Sequence, residues 1–191
     1  CALPISQIGE RVQVKFPDIT KEAWEDATGA TSVQTYDLPL LNSVPNGVDL
    51  EGYLFPDTYR FSSDATAEQI VERLLITLEK RLEEAGAGEK QGAELHELLT
   101  LASIVQREVR SNEEMATVAG IFQTRLKIGM ALQADSTVNY VTGKNDPGVT
   151  IADSKVDSLY NTYKYPGLPP GPISSPGLDA IKAVLNPVET D

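Results

Sequence analysis

The chain has 191 residues, with 28 Asp and Glu against 16 Lys and Arg and a formal net charge of −12; this length suits one domain, or a domain with a small appendage, and not two full domains. An acidic balance without a basic stripe excludes nucleic acid as a partner and disfavours an anionic membrane surface. A single cysteine, Cys1, and a single histidine, His96, leave no internal disulfide and no Cys/His metal cluster, and no apolar run reaches the roughly 18–20 residues of a membrane span.

Taken in order, the chain opens at Cys1 without an initiator Met, which reads as a fragment or processed form. An arbitrary boundary is the expected reading and a lipidated mature cysteine the alternative. Residues 1–48 are mixed. The alternating run Arg11-Val12-Gln13-Val14-Lys15-Phe16 suits a half-buried strand, and Thr20–Ala27 a short helix closed by Gly29. Trp24 reads as core. The Pro/Asn/Gly-rich stretch Leu38–Gly47 reads as a loop or boundary.

Leu50–Phe61, LEGYLFPDTYRF, concentrates four of the chain's eleven Phe and Tyr residues around a Pro-Asp turn. Such a stretch either packs a core edge or lines a sugar cleft, and it carries two spare carboxylates, Glu51 and Asp57. Thr66–Glu84 is a clean amphipathic helix: Thr66 and Gln69 form a capping box, Ile70, Leu74, Leu78 and Leu82 the stripe, and Gly86 the stop.

After a Gly/Glu/Lys-rich linker comes the stretch of most chemical interest, Leu98–Arg110, LLTLASIVQREVR. Leu95, Leu98, Leu99, Ala102, Val105 and Val109 recur at helical intervals and predict one buried face. Glu108 falls on the flank of that face, beside Leu101, Ile104 and Val105, while Arg107 and His96 turn to the polar side. Both the helix C-terminus and the apolar flank favour the protonated acid, the form that a general acid needs. Glutamates at helix flanks are ordinarily just solvated, so periodicity alone does not make Glu108 catalytic.

Ser111–Glu114 predicts a second capped helix with Met115, Val118, Ala119, Phe122 and Leu126 on one face, ending near Gly129. The short joint between the two helices puts Glu108 at a helix–helix corner. Two loops then follow. Leu132–Tyr140 carries Gln133, Asp135, Ser136, Thr137 and Asn139, small polar groups suited to reading sugar hydroxyls and acetamido groups. Tyr160–Pro176 holds three tyrosines, five prolines and two glycines in seventeen residues, a rigid aromatic wall with few backbone donors. A short helix, Gly177–Leu185, closes the chain at Asn186-Pro187.

Four blocks, LEGYLFPDTYRF, LASIVQREV, VAGIFQTRLKIGMALQADSTVNY and YNTYKYPGLPPGPISSPGLDAIKAVLNP, resemble in residues and order the MltG-type (YceG-like) endolytic murein transglycosylases. The resemblance runs from residue 50 to about 187. It implies a bacterial enzyme at the outer face of the cytoplasmic membrane that cuts nascent peptidoglycan strands internally, leaving 1,6-anhydro-N-acetylmuramyl ends and limiting strand length. It also implies that Glu108 is the catalytic acid/base, and that Gln133, Asp135, Thr137, Asn161, Thr162 and Tyr163 furnish the substrate cleft, with Glu51 and Tyr59 nearby. Its partners would be glycan strands and, beyond them, penicillin-binding proteins and other cell-wall synthesis proteins. No metal or cofactor is expected.

Three departures stand beside the resemblance. Where many relatives have a further acidic residue, this chain has Gln106. The family's membrane span is absent here, and residues 1–48 are at most a remnant of its LysM-like subdomain. The chain stops at Asp191 where the family continues, so it reads as truncated at that end too. The expected architecture is α+β: a mainly helical catalytic domain over residues 49–191, with short strands and a Pro/Tyr-rich cleft loop, preceded by a partial LysM-like or linker region over 1–48. Two other readings remain open from the residues. One is a hydrolytic muramidase with Asp135 as the second carboxylate, and the other a peptidoglycan-binding scaffold module without turnover.

Overall fold

The computed structural model describes residues 3–109, 111–144 and 148–189; Cys1, and with it the question of lipidation, lies outside them. Within these residues seven α-helices follow one another: α1 Ile5–Lys15, α2 Lys21–Thr28, α3 Ala67–Glu84, α4 Gly92–Glu108, α5 Asn112–Lys127, α6 Asp135–Thr142 and α7 Leu178–Leu185, with short 3-10 turns at Val33–Thr35, Pro39–Ser43 and Asp153–Lys155. Among the described residues there is no strand. The expected α+β class is therefore corrected to a helical fold, and residues 3–48 give no support to a LysM-like remnant.

The reason lies in a second pattern within the same residues. Ile5, Ile8, Gly9 and Val12 also recur at helical spacing, and α1 lays that face against Trp24 of α2, whose indole Nε1–H donates to the Ile5 carbonyl at 3.1 Å. Gly9 is needed there, since a Cβ would lie 2.4 Å from Trp24 Cδ1. Val14, expected to be half-buried in a strand, is 77% exposed. Tertiary packing overrode β-propensity, as it readily does in a short β-branched run.

Other expectations hold. The short helix expected over Thr20–Ala27 is α2, closed at Gly29, and Thr20 caps its start by accepting from Ala23 N–H. Thr66 and Gln69 exchange both bonds of the capping box at α3, at 3.4 and 3.0 Å. Ile70, Val71, Leu74, Leu75, Leu78 and Leu82 of α3 are buried, each contributing about 1.5–3 kcal/mol on removal from water. Trp24 is core, at 2% exposure.

The central element is α4. It packs against α5, α6, α7 and the Pro39–Ser43 turn, so its middle turns are buried all round from Leu98 to Val105 rather than along one stripe. His96, expected on the polar side, is buried as well. The Pro170 carbonyl has no proton, so His96 Nε2–H donates to it (2.9 Å), and Nδ1 accepts from the Tyr53 hydroxyl (3.0 Å). With both nitrogens satisfied the ring enters the core at little cost. That bond ties α4 to the Pro-rich loop, and a second tie, Ile173 N–H to Ser103 Oγ at 3.0 Å, fixes the same loop further along.

Candidate active site

Glu108 is the last residue of α4, half-buried, with α5 starting four residues on. Ser111 caps α5, accepting from the Glu114 amide at 3.3 Å and donating to the Glu114 carboxylate at 2.7 Å. Glu108 Oε1 accepts from the Ser136 amide at 3.1 Å. That amide belongs to the first turn of α6, so a helix N-terminus faces the carboxylate. Leu132–Tyr140, expected as a loop, is thus a short turn followed by helix.

Tyr163 donates its hydroxyl to Asp135 Oδ1. Asp135 acts first by that bond, and burial and the charges of Asp135 and Glu108 add to it, pushing the phenol up to about 12. Glu108, Asp135 and Tyr163 therefore share one electrostatic neighbourhood. Tyr163 is 36% exposed and supplies an aromatic face beside the two carboxylates.

Thr137, Asn161 and Thr162 of these two segments are turned inward. Thr162, 1% exposed, is a hub: its Oγ1 accepts from Ala134 N–H (3.0 Å) and lies 2.9 Å from Thr137 Oγ1, while its carbonyl accepts from Gln133 N–H (3.0 Å). Asn161, fully buried, donates to the Ser154 and Val156 carbonyls at 3.0 and 2.8 Å, and its Oδ1 accepts from Tyr163 N–H at 3.0 Å. Thr137, Asn161 and Thr162 thus have their side chains committed to protein partners and hold up Tyr163, Asp135 and the exposed Gln133.

Glu51 and Tyr59 take their hydrogen-bond partners elsewhere. Tyr59 donates to the Phe55 carbonyl at 2.7 Å, stacks on Phe61 and lines a hollow of about 540 Å³ with Ile8 and Val12 of α1 and Phe16 just after it. Both oxygens of Glu51 accept from Ile5 N–H, at 3.3 and 3.2 Å, and Tyr140 OH donates to it at 3.5 Å. It caps α1, whose own N-cap, Pro4, has no side-chain acceptor.

Burial outweighs those hydrogen bonds and pushes the Glu51 carboxyl up to about 8. A carboxyl raised on folding keeps its proton where the unfolded chain has lost it, so its contribution to stability is full below the ordinary glutamate value of 4.5 and is lost as pH rises through about 8. At about 1.4 kcal/mol per unit, the Glu51→Gln variant is expected to be a few kcal/mol more stable than the parent above this window, with a flatter profile across it. Urea midpoints at both ends of the window check this, and parallel profiles for parent and variant would count against it.

Sequence reasoning missed three supports. Gln106 accepts from Gly177 N–H at 3.0 Å and so holds the start of α7. Arg107 is held below its ordinary value by burial, against the opposing influence of Glu51 and Glu108, and so feels both carboxylates. Arg125 donates to the Leu132 carbonyl; its place in the last turn of a helix ahead of a polar turn was the available signal.

With this geometry in hand, comparison with known proteins is specific. The profile of the YceG-like family matches residues 4–191. An endolytic murein transglycosylase of Bacillus subtilis is 40% identical over 144 residues, covering 74% of this chain and 40% of that protein. One from Streptococcus pneumoniae strain D39 is 38% identical over 148 residues, covering 74% of this chain and 27% of that protein. The chain thus spans about a quarter to two fifths of the length of these curated relatives. The crystal structure of a YceG-like protein from Listeria monocytogenes superposes with a TM-score of 0.83 at 32% identity, over 98% of this chain and 65% of that one. The chain belongs to the YceG-like family.

Proposed function

We propose that this chain is the catalytic part of an endolytic lytic transglycosylase that cleaves the MurNAc–GlcNAc bond of peptidoglycan strands and leaves 1,6-anhydro-N-acetylmuramyl ends. The supporting observation is the Glu108 carboxyl at the end of α4, held by the Ser136 amide beside the Tyr163–Asp135 pair, in a chain whose relatives are named endolytic murein transglycosylases.

Glu108, protonated, gives its proton to the glycosidic oxygen as the C1–O bond breaks. The muramyl C6 hydroxyl attacks C1, and the Glu108 carboxylate takes its proton, so the acid is regenerated and no water is consumed. One carboxyl serves both steps, because the substrate supplies the nucleophile that a second carboxylate provides or activates in hydrolases. The Ser136 amide, donating to Oε1 at 3.1 Å, orients the carboxyl for both transfers. Tyr163 and Gln133 border the oxocarbenium-like state and the N-acetyl group.

The substrate puts the site of action outside the cytoplasmic membrane; among the described residues no helix is long and apolar enough to cross one. Glycan strands released from cell wall by the chain and identified by mass test the reading. Anhydro-muramyl ends support it. Products heavier by one water would mean hydrolysis, with Asp135 as the second carboxylate, and strand binding without products would mean a scaffold module.

A further inference from the structure

We propose that Arg125 is a positioning residue for Glu108, acting through the turn that joins α5 to α6. The proposal rests on the reading of Glu108 as the acid/base. Arg125 stands in the last turn of α5, and its Nη1 donates to the Leu132 carbonyl. The next residue, Gln133, is the one non-glycine among the described residues with a left-handed backbone, at φ +53°, a conformation that L side chains resist. Its amide is bonded to the Thr162 carbonyl and the following amide, of Ala134, to Thr162 Oγ1, each at 3.0 Å.

The unfavourable peptide is therefore clamped on both sides, by Arg125 at 132 and by the buried Thr162 at 133 and 134. Two residues beyond the clamp, the Ser136 amide meets Glu108 at 3.1 Å. Ser136 Oγ is buried without a partner, so the backbone is what Ser136 contributes to the carboxylate. Backbone strain persists only where its surroundings over-determine it. Without Arg125 the clamp holds on the Thr162 side alone, and the turn relaxes towards an ordinary φ by moving at Leu132, which turns the first amides of α6 away from Glu108. Arg125 is also close enough for its charge to act on Tyr163, so the clamp lies beside the carboxylates and not at the far end of α5.

The test measures hydrogen exchange of the Ser136 amide by NMR in the whole chain, together with kcat and KM on peptidoglycan strands. Arg125→Ala is expected to speed Ser136 exchange by about tenfold or more and to lower kcat by about ten- to a hundredfold, with a much smaller change in KM. Arg125→Lys, which keeps one donor, recovers part of both. Gln133→Gly added to Arg125→Ala slows the exchange again, because glycine takes the left-handed conformation without cost; that variant is read by exchange alone, since Gln133 borders the proposed cleft.

Unchanged exchange in Arg125→Ala overturns the proposal, and a lower kcat in that case would mean that Arg125 meets substrate directly. If Arg125→Ala does not fold, Arg125→Lys carries the same comparison. A parent chain that turns over no glycan defeats the functional reading, while the exchange measurements still decide whether Arg125 holds the turn.

Discussion

Replacing Glu108 by Gln is expected to lower turnover of peptidoglycan strands by about 10²–10⁴-fold, towards the upper end because one carboxyl serves both proton transfers. The fold is expected to survive. The amide has the shape of the carboxyl and keeps an oxygen for the Ser136 amide that now bonds Glu108 at 3.1 Å, and the side chain is half-buried at a helix end rather than in the core. Parallel melting curves with loss of anhydro-muramyl products from the variant alone would assign the role. Undiminished turnover with intact structure would sink it.

Replacing Gly52 by Ala is expected to cost about 3–5 kcal/mol of stability, a loss at the top of the range for one small substitution. Two effects combine. Gly52 lies at φ +88°, where an L side chain is strained, and its Cβ would sit 2.3 and 2.4 Å from Cβ and Cγ of Pro172. Neither side yields cheaply. The proline ring is rigid, and its loop is held by Pro170 to His96 at 2.9 Å and by Ile173 to Ser103 at 3.0 Å. Gly47→Ala separates the two effects: its φ is +79° with nothing within 4 Å of the added carbon, so it bears only the backbone strain, about 1–2 kcal/mol. Urea unfolding of both variants reads the difference, and equal losses would mean that the collision with Pro172 relaxes away.

Gly52 lets the backbone of LEGYLFPDTYRF pass over the Pro172 ring of the Pro-rich loop. The aromatic stretch at Leu50–Phe61 serves packing more than a cleft: Leu50, Tyr53 and Leu54 are fully buried, and Glu51 caps α1.

What the sequence determined by itself is local or periodic. The capped amphipathic helices, the buried α4 carrying Glu108 at its end, the corner before Ser111 and the irregular Tyr/Pro loop are all written in spacing and in cap residues, since helix registers and caps depend on neighbours within a few positions. Tertiary structure alone decided what depends on partners far along the chain. Arg11–Lys15 became helix because Trp24 offered a surface to Ile5 and Gly9, and His96 went inward because Tyr53 and the Pro170 carbonyl answered both its nitrogens. Glu51 became a helix cap, and Thr162 the support under Asp135 and Gln133, through hydrogen bonds that sequence spacing does not encode. A buried polar group is tolerated only where such a partner waits, and the partner's address is a property of the fold.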